Sequence, residues 1–264
     1  DGADDLVNAT LPTVFNDIPN NDITLEAWVN PAGSAFQRII YAQPSTSNFM
    51  TMGTSTGNVI YFYVVKNGTT YSLATTTSIP QNAWTHVACT WQASTNSINC
   101  YFNGILQPTV AGGSSSTGTS GILSIGARPG GAQYFYGKLD EIRIWKVART
   151  ACELQANYRT ALYGTETNLA AYYTFNHGVA GGNNAGVTAL VDFVGGNNGT
   201  LTNFGLTGTT SNWIISDAVR NTLGLQQADT VRETTAVCNG AGYAFPDGTT
   251  ATNITTQLIH ASHL

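Results

Sequence analysis

Residues 84–104, WTHVACTWQASTNSINCYFNG, narrow the possible folds of this chain more than any other stretch. Two runs with alternating character flank a polar break, Gln92 to Ser97, built from Ser, Thr and Asn, which is the pattern of an antiparallel hairpin. Side chains alternate across a strand, so Val87, Cys89 and Trp91 share one face of the first run. Ile98, Cys100 and Phe102 share one face of the second. A turn about residues 94 and 95 sets Cys89 opposite Cys100 and brings both apolar stripes to the same side. The hairpin therefore needs a second sheet to cover it.

At 264 residues the chain has room for one large all-β domain or two smaller ones. Charged residues are 9% of it, against about a quarter in ordinary soluble domains. Thr, Ser, Asn and Gly fill the polar positions instead, a composition expected of an extracellular bacterial β-protein rather than a cytosolic enzyme. Net charge is −5 and the few Lys and Arg are scattered. Without a basic patch there is nothing to meet phosphates, so nucleic acid is not an expected partner. No apolar run approaches the ~20 residues that span a bilayer, so membrane insertion is not expected. The opening DGADDLVN is acidic, unlike a signal peptide, and the chain reads as a mature or excised piece.

Taken in order, Asp1 to Val7 runs from a turn-prone acidic cluster into a strand, and Leu11 to Asn21 reads as a loop. Ile23 to Pro31 alternates cleanly, with Ile23, Leu25, Ala27 and Val29 on one face and Thr24, Glu26 and Trp28 on the other. Strands are expected at Arg38 to Gln43, Phe49 to Met52, Val59 to Val65 and Tyr71 to Thr75, with Lys66-Asn67-Gly68 as a hairpin turn. After the central hairpin come Leu106 and Val110, a flexible loop from Ala111 to Gly121, a strand from Gly121 to Ala127, and the turn Arg128-Pro129-Gly130-Gly131. Leu139 to Trp145 is a strand. Thr150, with Glu153 three residues later, forms a capping box for the one expected helix, on which Leu154 and Tyr158 pair at i, i+4. Leu169 to Phe175 is a further strand, Asn176 to Asn197 a Gly/Asn-rich excursion, and Gly199 to Asn203 with Trp213 to Ile215 closes the sheet. The expected architecture is all-β: a two-sheet antiparallel β-sandwich or jelly roll with one short helix and a single core. It occupies residues 1–217. Residues 218–236 read as a linker, and 237–264 as the truncated start of a further β-rich module.

Four cysteines, at 89, 100, 152 and 238, are too few for a disulfide scaffold. The local geometry of Cys89 and Cys100 admits either an adjacent-strand disulfide or two reduced core thiols. No pair has CxxC spacing, which argues against zinc.

The ordered set DGADDLV, ITLEAWVNP, WTHVACTW, NCYFNG and GKLDEIRIWKVART resembles the laminin-G-like, concanavalin A-like jelly roll, and is similar to the pentraxin core. The resemblance spans about residues 1–215. LAAYYTFN with DFVGGNNGTLTNF, and the C-terminal CNGAGYAFPDGTTATNIT, resemble segments and repeat modules of long bacterial surface proteins and adhesins. The resemblance implies recognition of glycans, matrix or a neighbouring module of the same polypeptide, outside the cell or on its surface.

Glycoside hydrolysis is the competing reading, since glucanases share this jelly roll. It requires two carboxylates flanking the scissile bond. Related glucanases carry Glu-x-Asp-x-x-Glu on one strand; the nearest match here, Asp140-Glu141-Ile142-Arg143-Ile144, has Arg at 143 and departs from it. Glu26 and Glu141 are better read as structural, one of them paired with Arg143, and Trp28 and Trp145 as packing residues. His86 reads as a strand residue, and His177 lies in a loop with no nucleophile motif beside it. Asn8, Asn67, Asn198 and Asn253 are formal glycosylation sequons.

Sugar recognition uses aromatic faces with polar groups that fix hydroxyls. The loop RPGGAQYFY supplies Arg128, Gln133, Tyr134 and Tyr136 as the candidate ligand contacts. Structural Ca²⁺ would need several oxygen ligands. Asp1, Asp4 and Asp5 lie in one turn, and the resemblance places Asp140 near that strand, so these four are the candidate metal ligands. The function expected is a non-catalytic extracellular adhesion or glycan-binding module. The alternatives are a structural spacer of a surface adhesin and, after it, a polysaccharide-degrading hydrolase or lyase.

Overall fold

A computed structural model describes residues 3–113, 120–208, 211–216 and 218, and the backbone of 237–238, 243–244 and 250–251. The strands are β1 (Leu6–Thr10), β2 (Ile23–Pro31), β3 (Gln37–Gln43), β4 (Phe49–Thr54), β5 (Val59–Lys66), β6 (Thr69–Ser78), β7 (Thr85–Gln92) and β8 (Ser97–Phe102). They continue as β9 (Ile105–Leu106), β10 (Thr109–Ala111), β11 (Ile122–Ile125), β12 (Gly137–Trp145), β13 (Leu169–Tyr173), β14 (Ala189–Leu190) and β15 (Gly199–Thr202), with the helix α1 (Ala151–Asn157) between β12 and β13. Three two-residue strands, β16 (Val237–Cys238), β17 (Tyr243–Ala244) and β18 (Thr250–Ala251), pair in a small sheet of their own.

Two antiparallel sheets make the sandwich. One runs β10-β6-β5-β4-β3-β11-β1-β15-β14, the other β13-β12-β2-β7-β8-β9. The central hairpin closes with the expected register: Val87 faces Phe102, Cys89 faces Cys100 and Trp91 faces Ile98. Cys89 and Cys100 form a disulfide with Cα atoms 4.3 Å apart, which decides between the two states the sequence left open. Cys152 is disulfide-bonded as well.

Alternation along each strand builds the core. Ile23, Leu25, Ala27 and Val29 of β2 meet Val87, Cys89 and Trp91 of β7 beneath Ile40, Met50, Met52, Phe62 and Val64 of the opposite sheet, all fully buried. Each of the larger aliphatic and aromatic side chains contributes about 1.5–3 kcal/mol by leaving water. The second face of β2 is also buried: Thr24 and Glu26 have no exposure and Trp28 almost none. That face lies under α1, whose Leu154 packs on Ala88 and Tyr101. The helix starts as its capping box dictates, with Thr150 Oγ1 accepting from the Glu153 backbone N–H and Glu153 Oε2 accepting from the Thr150 N–H.

Local departures from the sequence reading are small. The 11–21 loop contains a 3₁₀ turn at Thr13–Asp17, and the Gly/Asn-rich excursion contributes β14. Residues 213–215 join no sheet. The Trp213 carbonyl instead accepts from the Gly181 N–H, and the Asn212 N–H donates to the Gly205 carbonyl, so loop contacts satisfy a segment whose composition suits a strand.

Candidate functional site

The loop from Arg128 to Tyr136 sits at the start of β12, and its conformation is fixed from below. Arg128 and Ala132 form an isolated antiparallel bridge. The Phe135 N–H donates to the Gly126 carbonyl at 2.7 Å, and the Phe135 ring enters the core. Gln133 adopts φ 56°. Its carbonyl accepts from the Arg38 N–H at 2.9 Å, and its side-chain Oε1 accepts from Arg38 Nε at 2.9 Å. Arg38 is 1% exposed. Its guanidinium lies 4.9 Å from the Phe36 ring centroid, 5.1 Å from that of Tyr61 and 5.6 Å from that of Tyr41, with Nη1 donating to Thr51 Oγ1. Phe36 stacks on Tyr61, and Tyr41 on Phe49. A buried cation held among aromatic faces thus anchors the loop.

Strand register explains why this platform is polar on the side away from the core. Thr200, Asn8, Ser124, Tyr41, Thr51, Tyr63 and Ser72 are successive cross-strand partners. They form one row of hydroxyl and amide side chains across the larger sheet. Gly53 belongs there because no side chain would fit: an added Cβ would stand 2.0 Å from the Gln37 carbonyl.

The four candidate ligand residues therefore divide. Gln133 is committed to Arg38, and Arg128 is half-buried in the bridge. Tyr134 is half-buried above Gly131, while Tyr136 packs beside Gly33 and remains 47% exposed. Tyr136 and Tyr134 are the members left with surface to offer.

The candidate metal ligands have separate commitments. Asp1 lies outside the described residues. Asp5 Oδ2 accepts from Asn212 Nδ2, and the Asp4 carbonyl accepts from Asn203 Nδ2. Asp140 Oδ1 accepts from the Glu141 N–H. Among the described residues no three His, Cys, Asp or Glu side chains gather in a metal-binding group.

The acids that catalysis would need are engaged elsewhere. Glu26 accepts from Arg149 Nη1 at 2.8 Å and from His86 Nε2 at 3.1 Å, with Arg143 Nη1 at 3.8 Å. Burial opposes its charge, but the His86 hydrogen bond and the Arg149 and Arg143 guanidinium groups outweigh that and lower its pKa to about 2. Burial pushes the His86 pKa down against the pull of Glu26. We assign a neutral imidazole donating from Nε2, because His86 Nδ1 has no partner among the described residues and a second buried N–H would be left unsatisfied. Glu141 sits at φ 50° where the β12–β2 register slips. The bulge turns its carboxylate to Arg143 Nη2, 2.8 Å away, and to the Tyr172 hydroxyl. The expected pairing with Arg143 thus falls to Glu141 directly. Sequence pattern offered no sign of Arg149 as the main partner of Glu26.

A laminin-G family model, described as the concanavalin A-like lectin/glucanases superfamily, matches residues 1–155. No curated protein matches the sequence. Among solved structures, a Bacteroides ovatus protein provisionally described as carbohydrate-binding shares 23% identity at a TM-score of 0.55, covering 75% of this chain and 56% of its own. The chain thus spans little more than half of that relative's length. A native heptameric SAP-like pentraxin from Limulus polyphemus shares 15% identity at a TM-score of 0.43 over 58% of this chain and 75% of its own. Domains LG4-5 of the mouse laminin alpha1 chain share 15% identity at 0.42 over 57% of this chain and 41% of theirs.

Proposed function

The chain belongs to the concanavalin A-like lectin/glucanases superfamily, and from that premise we propose that it is a non-catalytic glycan-binding module. One observation carries the reading: the loop bearing Tyr134 and Tyr136 is tied by backbone and side chain to a buried arginine, while Tyr136 keeps an exposed ring. A rigid aromatic face loses little entropy when a sugar ring stacks on it. The Tyr134 hydroxyl and the loop's backbone groups supply the polar contacts that orient hydroxyls.

Against hydrolysis, Glu26 and Glu141 are held in buried ion pairs, and a fold shared with glucanases does not supply their acid pair. An extracellular location accords with the Cys89–Cys100 disulfide and the low charge content. No helix among the described residues is long and apolar enough to cross a membrane. Adhesion, as a module of a larger surface protein, is the setting in which such recognition serves.

A glycan array probed with the wild-type chain and with Tyr136→Ala, each with and without a chelator, tests the reading. Binding to a defined set of glycans, lost in the variant, supports it. Loss on chelation would assign a cation to the binding event. Silence of the wild type across the array would favour a spacer.

A further inference from the structure

A cleft of about 370 Å³ opens where the first half of β12 meets residues 211–216 and 175–180. Its volume lies at the low end of small-ligand sites, enough for one or two sugar rings. Half-buried Trp84 supplies aromatic surface and Trp213, packed against Gly178, borders the cleft; Asp140, Glu141, Asn176 and Ser216 supply polar groups, and exposed Lys138 a cation. Asp140 is 7% exposed and Glu141 3%. Burial pushes the Asp140 pKa up to about 6; the hydrogen bond with Ser216 opposes this and the Glu141 charge adds to it. Trp213 is 7% exposed, and its indole Nε1 finds no acceptor among the described residues. Buried polar groups lacking partners are uncommon in folded proteins.

We propose that this cleft is a second saccharide site, separate from the tyrosine loop, and that it accepts uncharged sugars and rejects acidic ones. The half-buried Trp84 indole suits the C–H face of a pyranose, and the Asp140 carboxylate with the Asn176 and Ser216 side chains offers acceptors and donors to sugar hydroxyls. A metal fits less well, because among the described residues no third His, Cys, Asp or Glu joins the two carboxylates, and Arg143 already pairs with that of Glu141. A uronate or sialate would bring a further negative charge against Asp140, and unpaired like charge is how a site turns a competitor away. Glu141 adds little to that field, since Arg143 faces it at 2.8 Å; Lys138 also lines the cleft, but it is exposed, so water and salt screen its charge more than that of buried Asp140. The inference rests on the reading of this chain as a sugar binder, but not on the loop.

The test is calorimetric titration of the chain with cellotriose, laminaritriose, mannotriose and trigalacturonate, with two-dimensional NMR of the tryptophan indole N–H signals. Ala180 is exposed and lines the cleft, so Ala180→Trp fills the space without disturbing the core. At least one neutral trisaccharide should bind and shift the Trp84 and Trp213 indole signals. Ala180→Trp should abolish that event, Asp140→Asn should weaken it roughly tenfold, and trigalacturonate should bind there at least tenfold more weakly. Tyr136→Ala should leave the indole shifts intact. Binding that Ala180→Trp leaves unchanged, or trigalacturonate held as tightly as the neutral sugars, would overturn the cleft assignment and leave the loop reading standing. If no neutral sugar binds the wild type, the cleft assignment falls, and the loop reading falls with it only if the wild type is also silent across the glycan array.

Discussion

Arg149 Nη1 meets Glu26 Oε1 at 2.8 Å, joining the start of the helical segment to a strand 123 residues earlier in the chain. Both groups are almost wholly withdrawn from water, so the pair costs desolvation that each partner offsets for the other. Arg149→Met leaves Glu26 buried with its charge partly uncompensated. We expect it to lower unfolding free energy by about 3–5 kcal/mol in urea titrations. A change under about 1 kcal/mol would show that Arg143 and His86 suffice.

The same network sets an acid limit. Glu26 falls from 4.5 to about 2 on folding. A depressed carboxylate contributes stability fully present above its unfolded value and lost as pH falls through the folded one. About 3 kcal/mol should therefore disappear between pH 4.5 and pH 2. Glu26→Gln should flatten that part of the stability profile; an unchanged profile would reassign the acid sensitivity to other carboxylates.

Asp140 works in the opposite direction. Its pKa rises from 3.8 to about 6 on folding, chiefly by burial, so the native state holds the proton longer and stability declines as pH rises across that interval. Asp140→Asn should stabilise the fold at pH 8 by about 1–3 kcal/mol, with the gain vanishing below pH 4. Thermal melts at the two pH values check this. Equal destabilisation at both would mean that the Glu141 N–H and Ser216 contacts outweigh the ionisation.

How much of this was legible in the sequence depends on how local each cause is. The Cys89–Cys100 register, the single-face alternation of β2 and the Thr150 capping box follow from period-two patterning and short-range turn chemistry, and the structure has all three. The Glu26–Arg149 pair depends on a contact across 123 residues, which no local pattern encodes. Gln133 has the composition of a ligand contact, yet its amide oxygen serves Arg38, 95 residues away. Trp213 to Ile215 read as a strand because its residues favour one, but the partners available are loops. The indole of Trp213 then borders the cleft, which is assembled from five separate stretches of chain.

The hairpin disulfide spans 11 residues and both sulfur-bearing residues have no exposure. Loop-closure entropy for a ring of that size is worth about 3 kcal/mol. The Cys89→Ala, Cys100→Ala double variant should lose roughly that much in denaturant titrations. In the native wild-type chain this bond should resist dithiothreitol until the protein unfolds, as followed by mass-resolved alkylation. Rapid reduction under native conditions would contradict the burial.

Gln133→Ala removes the side-chain tie to Arg38 while leaving the backbone one. We expect a stability loss of about 1–2 kcal/mol, because the buried guanidinium loses an acceptor. Hydrogen exchange at the amides of residues 131–136 should rise more than in the core strands. Protection equal to wild type would mean that the backbone bonds alone fix the loop.

The central claim, that this sandwich recognises sugar at its rim and does so without cleaving it, is tested most directly by backbone amide NMR. The ¹⁵N-labelled chain is titrated with an oligosaccharide retained on the array, and sugar integrity is followed in the same tube. The account predicts saturable shifts concentrated at residues 131–138 and about the cleft, with the oligosaccharide intact throughout. Shifts centred on the buried Glu26–Arg149 network, or release of shorter sugars, would contradict it.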